Sequence, residues 1–380
     1  MLVTLRCALC PAKGVRKMPP IQSRHIGLAM DMCGCPNRCR HCYVGLQSRP
    51  NGQMTEDDLR WAAGQFKSYV RDGEEGPFIE RLSVMSCTRE PDFSDDYERL
   101  ADLEADLGDG RPTRFELLSI WRLARDEQYA KWAGRVGPDT CQITFFGMRQ
   151  TQDWFYRRQG AFQDCIVATQ RLLEAGMKPR WQLFMTAKIL PDLSGLAGLI
   201  EQMKIRERVQ ALGGEFDVFI HPPTLVGEGL TIAHLSATLE DTKLVPVAIV
   251  ESTKRHFKTD KIWTTEAQTI ARIDRAKDGL DVPFGYPRPL LWFSVADDWD
   301  VFSNMGTGGP WWRLGNLKTD GIGVIFDNFE QDKILALREN LPSTLRMAAK
   351  RYGNPKSQRV VNDISAHWCE RHWREVYGPR

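Results

Sequence analysis

The sequence predicts a parallel α/β fold, and three observations carry that prediction. Short apolar or β-branched runs alternate with amphipathic stretches through the first 220 residues. The amphipathic stretches open and close on helix start and stop residues. No internal repeat, low-complexity tract or long charge run breaks the alternation. Strands that alternate with helices pair in parallel and connect by right-handed crossovers.

Taken in order, the first predicted strand is HIGLAMD (25–31), followed by the helical stretch TEDDLRWAAGQFKSYVRD, for which Thr55 is the N-cap. The second is IERLSVMS (79–86), the third RFELLSI (114–120) and the fourth TCQITFFG (140–147). The helix AFQDCIVATQRLLEAG then closes on Gly176, a residue suited to the left-handed position after a helix end. PRWQLFMT (179–186) is the fifth strand, LAGLIEQMKIRERVQALGG the next helix, and FDVFIH (216–221) the sixth strand. After His221 the pattern changes. Residues 226–290 read as mainly helical, with TKLVPVAIVESTKRHF and EAQTIARIDRAKDG as segments. Residues 291–330 are rich in Gly, Trp and Asn, and a helical stretch covers 331–350 before the final SAHWCERHWREVYGPR. The expected division is an N-terminal arm (1–20), an α/β core (21–225), a helical extension (226–290) and a C-terminal domain (291–380).

Composition narrows the function classes. The 380 residues are 42% hydrophobic and 26% charged, the balance of a soluble globular protein with ample core. A formal charge of +2 predicts neither nucleic acid nor an anionic membrane as partner. The opening MLVTLRCALCPAKGVRKMPP has no continuous apolar segment of the signal-peptide kind, and no run of 18 apolar residues follows. A cytoplasmic location is expected.

The ten cysteines are unevenly spread: Cys7, Cys10, Cys33, Cys35, Cys39 and Cys42 precede residue 43, and Cys87, Cys141, Cys165 and Cys369 are scattered. A disulfide knot belongs to short secreted chains, so thiols crowded in CGCPNRCRHCYVG (33–45) point instead to a metal. Cys35, Cys39 and Cys42 have the spacing C-x3-C-x2-C and follow the first predicted strand. Loops leaving the C-terminal ends of parallel strands carry the chemistry in such folds. Three thiolates on a tight loop can hold three irons of a [4Fe–4S] cube and leave the fourth open, as a catalytic metal centre requires. A zinc ribbon would instead offer paired C-x2-C knuckles.

CPNRCRHC resembles the signature of the radical S-adenosylmethionine superfamily. That resemblance implies a partial (β/α)6 TIM-like barrel with a smaller C-terminal α+β domain. It implies a [4Fe–4S] cluster on Cys35, Cys39 and Cys42, with S-adenosyl-L-methionine bound at the open iron. In that superfamily, reductive cleavage of the cofactor yields a 5′-deoxyadenosyl radical. An external electron donor such as flavodoxin or ferredoxin is the implied partner. The family usually has an aromatic residue before the third cysteine; here His41 stands there and Tyr43 follows the cysteine, so Tyr43 is the expected cofactor neighbour. SCTREPDF lies where the family carries Gly-Gly-Glu-Pro, which assigns Glu90 to the cofactor's ammonium group, while Thr88 and Arg89 replace the two glycines. QITFFGMRQTQDWFYRRQGAFQD resembles the matching region of the SPASM/Twitch subgroup, assigning Thr144 to the cofactor ribose and Arg157, or Arg158 one residue on, to the methionine carboxylate. WWRLGNLKTDGIGVIF looks like part of a SPASM C-terminal domain, yet Cys369 is the only cysteine beyond residue 165, so no auxiliary cluster is expected.

Further residues have a chemical and a plainer reading. Cys87, at the end of the second strand, is a candidate hydrogen-atom donor to a substrate radical, or simply a core cysteine. His221 ends the sixth strand and is a candidate to bind or protonate substrate, or a histidine bonded to a loop carbonyl. Cys7 and Cys10 with His367, Cys369 and His372 form a candidate zinc site, against unpaired thiols and surface histidines. The expected activity is radical tailoring of a natural product by epimerisation, rearrangement or group transfer. A maturase of ribosomally made peptides is the alternative, and a non-catalytic zinc- or cluster-stabilised binding protein is the rival from another class.

Overall fold

The computed structural model describes residues 24–32, 34–44, 54–110, 116–276, 292–303, 309–330 and 345–377. Its strands are β1 (His25–Met30), β2 (Arg81–Met85), β3 (Thr140–Phe145), β4 (Lys178–Phe184), β5 (Val218–His221), β6 (Trp292–Val295), β7 (Asp300–Phe302) and β8 (Arg313–Asn316). Helices α1 (Glu56–Lys67), α2 (Tyr97–Leu107), α3 (Ile120–Leu123), α4 (Glu127–Val136), α5 (Arg149–Tyr156), α6 (Ala161–Glu174), α7 (Leu193–Gln202) and α8 (Ile205–Ala211) connect the first five strands. Helices α9 (Val247–Phe257) and α10 (Glu266–Arg275) follow β5, and α11 (Gly321–Glu330), Leu345–Tyr352 and Ile364–Tyr377 lie beyond β8.

The result is a mixed α/β fold with parallel pairing in two sheets. One runs β3-β4-β5, all parallel; the other has the order β2-β1-β6-β7-β8, with β1 parallel to both neighbours and β6 to β8 antiparallel. Five of the six predicted strands form. The exception is 114–120, whose first two residues lie outside the described ones. The Glu116 carbonyl accepts from the Gln142 backbone N–H at 2.7 Å, but no ladder forms beyond it. Ser119 then turns the chain into α3, its hydroxyl accepting from the Arg122 backbone N–H at 3.1 Å. An N-cap outcompetes the strand pattern there. Thr55 caps α1 as expected, in a reciprocal capping box with Asp58.

Alternation of side chains along the strands sorts two faces. Ile26, Leu28, Leu82 and Val84 enter one core with Phe66, Phe78, Phe293 and Phe326, and this core continues through Trp312, Trp368 and Trp373. Ile143, Phe145, Trp181, Leu183, Val218 and Ile220 enter a second core against helices α6, α7 and α9. Each such aliphatic or phenyl side chain removed from water contributes about 1.5–3 kcal/mol. On the opposite face of the first sheet, Gly27 pairs with Trp292, and a Cβ there would meet the indole at 2.1 Å. A glycine lets the ring lie flat on β1. The short strands β6 to β8 escaped sequence reading because three or four residues show no period. Among the described residues, no helix is long and apolar enough to cross a membrane.

Candidate metal centre

The loop that leaves β1 carries Cys35, Cys39 and Cys42 as half-buried cysteines outside any disulfide. Backbone bonds hold its shape from both sides. Arg38 N–H donates to the Tyr156 carbonyl at 3.2 Å and Arg40 N–H to the Phe155 carbonyl at 2.8 Å, so the end of α5 templates one side. The Arg40 guanidinium lies over the Trp154 ring at 4.1 Å and donates from Nε to the Trp154 carbonyl at 3.1 Å. On the other side, Glu228 N–H donates to the Cys42 carbonyl at 2.9 Å. Gly227 sits beneath that turn with φ +57, and a Cβ would lie 2.6 Å from the Cys42 oxygen and 2.7 Å from that of Tyr43. The C-terminal helix Ile364–Tyr377 grips this support: Arg374 donates to the Gly227 carbonyl at 3.0 Å, and His367 Nδ1 to that of Leu225.

Behind the thiols stands an aromatic wall. The His41 ring packs on Phe146 at 4.3 Å and Phe184 at 5.4 Å, and Phe146 stacks in turn on Phe155. Burial alone pushes the His41 pKa down to about 3, so it is a neutral flat ring at physiological pH.

Electrostatics shows what the thiols need. Burial, and next the negative charge of Glu90, push the Cys35 thiol up to about 12. Cys39 is raised well above its ordinary value by burial and then by Cys35 and Cys42. Burial and mutual repulsion disfavour the ionised thiols, and a bound cation would offset both. Among the described residues, no three His, Cys, Asp or Glu side chains converge as a single metal ion would require. Ligands to separate irons of one cube have no such point to meet.

The structure gathers several expected residues at this loop. Glu90 lies against it, its Oε2 accepting from Asn37 Nδ2 at 3.4 Å and its Oε1 from the Ser119 hydroxyl at 2.9 Å. Burial raises the Glu90 pKa against the opposing Ser119 hydrogen bond. The buried Arg122 guanidinium ties down the segment after it, donating to the Asp92 and Phe93 carbonyls at 2.7 Å. Of the two arginines, Arg158 faces the cysteine loop, its Nε donating to Asn37 Oδ1 at 2.7 Å and its Nη1 2.6 Å from Asp164. Arg157 is exposed, in the left-handed position that ends α5. Asp153 explains the turn between α5 and α6: its carboxylate accepts from the Gly160 and Phe162 N–H groups and caps α6.

Thr144 lies on the partly open face of β3 and its hydroxyl donates to Gln182 Oε1 at 3.0 Å. His221 is buried behind it, with Nδ1 2.7 Å from the Pro222 carbonyl and Nε2 2.5 Å from the Gln182 amide nitrogen. Both ring nitrogens are therefore engaged within the protein, the plainer of its two readings. Tyr156 links this wall to the loop, its hydroxyl 3.5 Å from the Thr144 carbonyl and its own carbonyl accepting from Arg38 N–H. Cys87 is buried in the first core. Tyr43 is 52% exposed.

The terminal cluster does not assemble within the described residues. Cys7 and Cys10 lie outside them, as does Cys33. His367 bonds to Leu225, His372 Nδ1 lies 2.6 Å from the Tyr352 hydroxyl, and Cys369 is buried in the core. Residues two apart on a helix point to nearly opposite faces, which separates His367 from Cys369.

Asn37, Gln152 and Gln182 were not picked out from sequence. Gln152 is fully buried, accepts from Phe146 N–H at 2.6 Å and donates to the Thr144 carbonyl at 2.9 Å, fixing the end of β3. Asn37 sits inside the cysteine motif and was readable there; Gln182 needed the β3–β4 register, which sets it opposite Thr144.

His221 gives the fold a pH dependence. Burial pushes its pKa down to about 4, from 6.5 when unfolded. The unfolded chain then binds more protons at intermediate pH, so the stabilising contribution is complete above about 6.5 and is lost as pH falls towards 4. We expect a loss on the order of 2–3 kcal/mol across that window. Urea unfolding at pH 7 and pH 5 measures it, and the slope should flatten in His221→Gln; an unchanged slope in that variant rules out His221 as its source.

No protein-family model and no curated protein matches this chain. Among solved structures, native anSMEcpe with bound AdoMet and Kp18Cys peptide is 12% identical, covering 92% of this chain and 96% of that one, with TM-score 0.48. SuiB of Streptococcus suis bound to its precursor peptide SuiA is 13% identical over 85% of this chain and 70% of that one, with TM-score 0.44. BtrN in complex with AdoMet and 2-DOIA is 9% identical over 89% and 93% of the two chains, with TM-score 0.21.

Proposed function

We propose that this chain is a radical S-adenosylmethionine enzyme of SPASM/Twitch-like type that carries out a radical tailoring reaction on a natural product. One observation carries the reading: the C-x3-C-x2-C loop sits at the C-terminal end of β1, with Glu90, Asn37 and Arg158 gathered against it. The donor set fits a [4Fe–4S] cluster, with Cys35, Cys39 and Cys42 as its holders. When bound, that cluster supplies the electron that splits the S–C bond of S-adenosyl-L-methionine, and a flavodoxin- or ferredoxin-like donor replenishes it.

The remaining roles belong to the chain. Glu90, already an acceptor for Asn37 and Ser119, offers a carboxylate to the cofactor's ammonium group. Arg158 takes the place assigned to Arg157, because it is the guanidinium that turns towards the cysteine loop. Thr144 presents its hydroxyl to the ribose, and Tyr43, exposed beside Cys42, borders the cofactor. The stack of His41, Phe146, Phe155 and Phe184 keeps water from the back of the site. Cys87, in the segment between β2 and Glu90, is the thiol for hydrogen-atom donation. In this reading β2-β1 and β3-β4-β5 are the two parts of the partial (β/α)6 barrel, with residues 116–119 in the place of its third strand, while β6 to β8 continue the sheet from β1.

Anaerobic reconstitution tests the proposal. About four irons per chain, and 5′-deoxyadenosine released on reduction with S-adenosyl-L-methionine, are the expected results. Zinc in the purified protein together with no iron uptake would sink it in favour of a structural metal site.

A further inference from the structure

The wall formed by β3, β4 and β5 contains a chain of hydrogen bonds whose direction can be worked out from its buried end. Facing a carbonyl, His221 Nδ1 can only donate, and it does so to Pro222 at 2.7 Å. With burial holding the ring neutral, Nε2 is then an acceptor. The Gln182 amide nitrogen, 2.5 Å away, donates to it. The other end of the same amide agrees. Gln182 Oε1 accepts from Gln142 Nε2 at 2.8 Å and from the Thr144 hydroxyl at 3.0 Å. Turning the amide over would set an oxygen against the His221 acceptor, so the histidine end holds one orientation, and Gln142 takes the matching one.

The consequence falls on Thr144. A threonine hydroxyl has one hydrogen and two lone pairs. Here the hydrogen is used inside the wall, while Thr144 itself remains partly exposed and Gln182 and His221 are buried. What Thr144 shows to the open side is an acceptor.

We propose that Gln182 and His221 are positioning residues that make Thr144 an obligate hydrogen-bond acceptor towards its ligand, so that this position selects a ligand O–H over an acceptor of equal size. The inference rests on the S-adenosylmethionine reading above, in which that O–H is a ribose hydroxyl. Without the relay, Thr144 is free to rotate and donate, and the selection is lost.

Equilibrium binding of S-adenosylmethionine to the reconstituted protein, compared with its 2′- and 3′-deoxyfluoro analogues, tests this. Fluorine keeps nearly the size of a hydroxyl but cannot donate. The wild type should bind one of the two analogues about tenfold more weakly than the parent. Gln182→Leu and His221→Phe should shrink that ratio to about threefold or less, whereas His221→Gln, which keeps an acceptor for Gln182, should retain it. Thr144→Val should abolish the ratio, and adding Gln182→Leu to it should change nothing further. Circular dichroism checks that each variant is folded, and His221→Gln keeps the comparison informative if His221→Phe is not. An unchanged ratio in Gln182→Leu overturns the proposal while leaving the cofactor reading intact. Failure of the wild type to bind S-adenosylmethionine at all overturns both.

Discussion

Cys39→Ala is expected to reduce iron uptake from about four per chain to background, and to bring 5′-deoxyadenosine formation below detection. The fold should survive the change, and the reason lies in how the loop is held. Arg38 and Arg40 on either side of Cys39 bond through their backbone N–H groups to the Tyr156 and Phe155 carbonyls, so the shape of the loop does not depend on the thiol. Loss of a small half-buried side chain should cost no more than about 1 kcal/mol. Iron analysis, anaerobic turnover and urea unfolding on one preparation separate the two effects. A folded Cys39→Ala protein that still takes up iron and cleaves the cofactor would show that these three thiols are not the cluster's holders.

Gly227→Ala should be the most damaging single methyl group near the site. Gly227 has φ +57, a region that costs an L-residue energy, and its new Cβ would press on the Cys42 and Tyr43 oxygens at 2.6 and 2.7 Å. Strain and collision together are expected to cost about 2–5 kcal/mol. Iron uptake should fall as well, since relief of the collision has to move the turn that carries Cys42. Gly176→Ala is the control, because it shares a positive φ of +77 but has nothing within 4 Å. It should lose only about 1 kcal/mol. Equal urea midpoints for the two variants would show that the turn yields freely and that Gly227 is not its support.

How far the site could be read in advance depended on how local each signal was. The cysteine spacing and the strand before it are contiguous, and both were legible. Glu90 and Thr144 stood out only because SCTREPDF and QITFFG resemble segments of a known family, not through any local period. The choice between Arg157 and Arg158 was not legible, because it turns on one residue adopting a left-handed conformation at the end of α5. His221 was visible as a strand-end histidine, but its partners Gln182 and Pro222 are set by the β4–β5 pairing and by burial. The third expected strand failed for the opposite reason. Its apolar run was clear, but Ser119 offered a competing cap that a strand pattern does not reveal.

The pairing of β1 with β6 has a consequence for the order in which the molecule can be completed. β1 delivers the cysteine loop, yet one of its two edges is matched by residues 292–295, which follow it after four other strands. During synthesis that edge has no partner until residues 292–295 have been made. Late, long-range closure slows folding and leaves a strand edge open to other chains in the meantime. The strand that presents the thiols is thus sealed on this edge only after β2 to β5 have all been made.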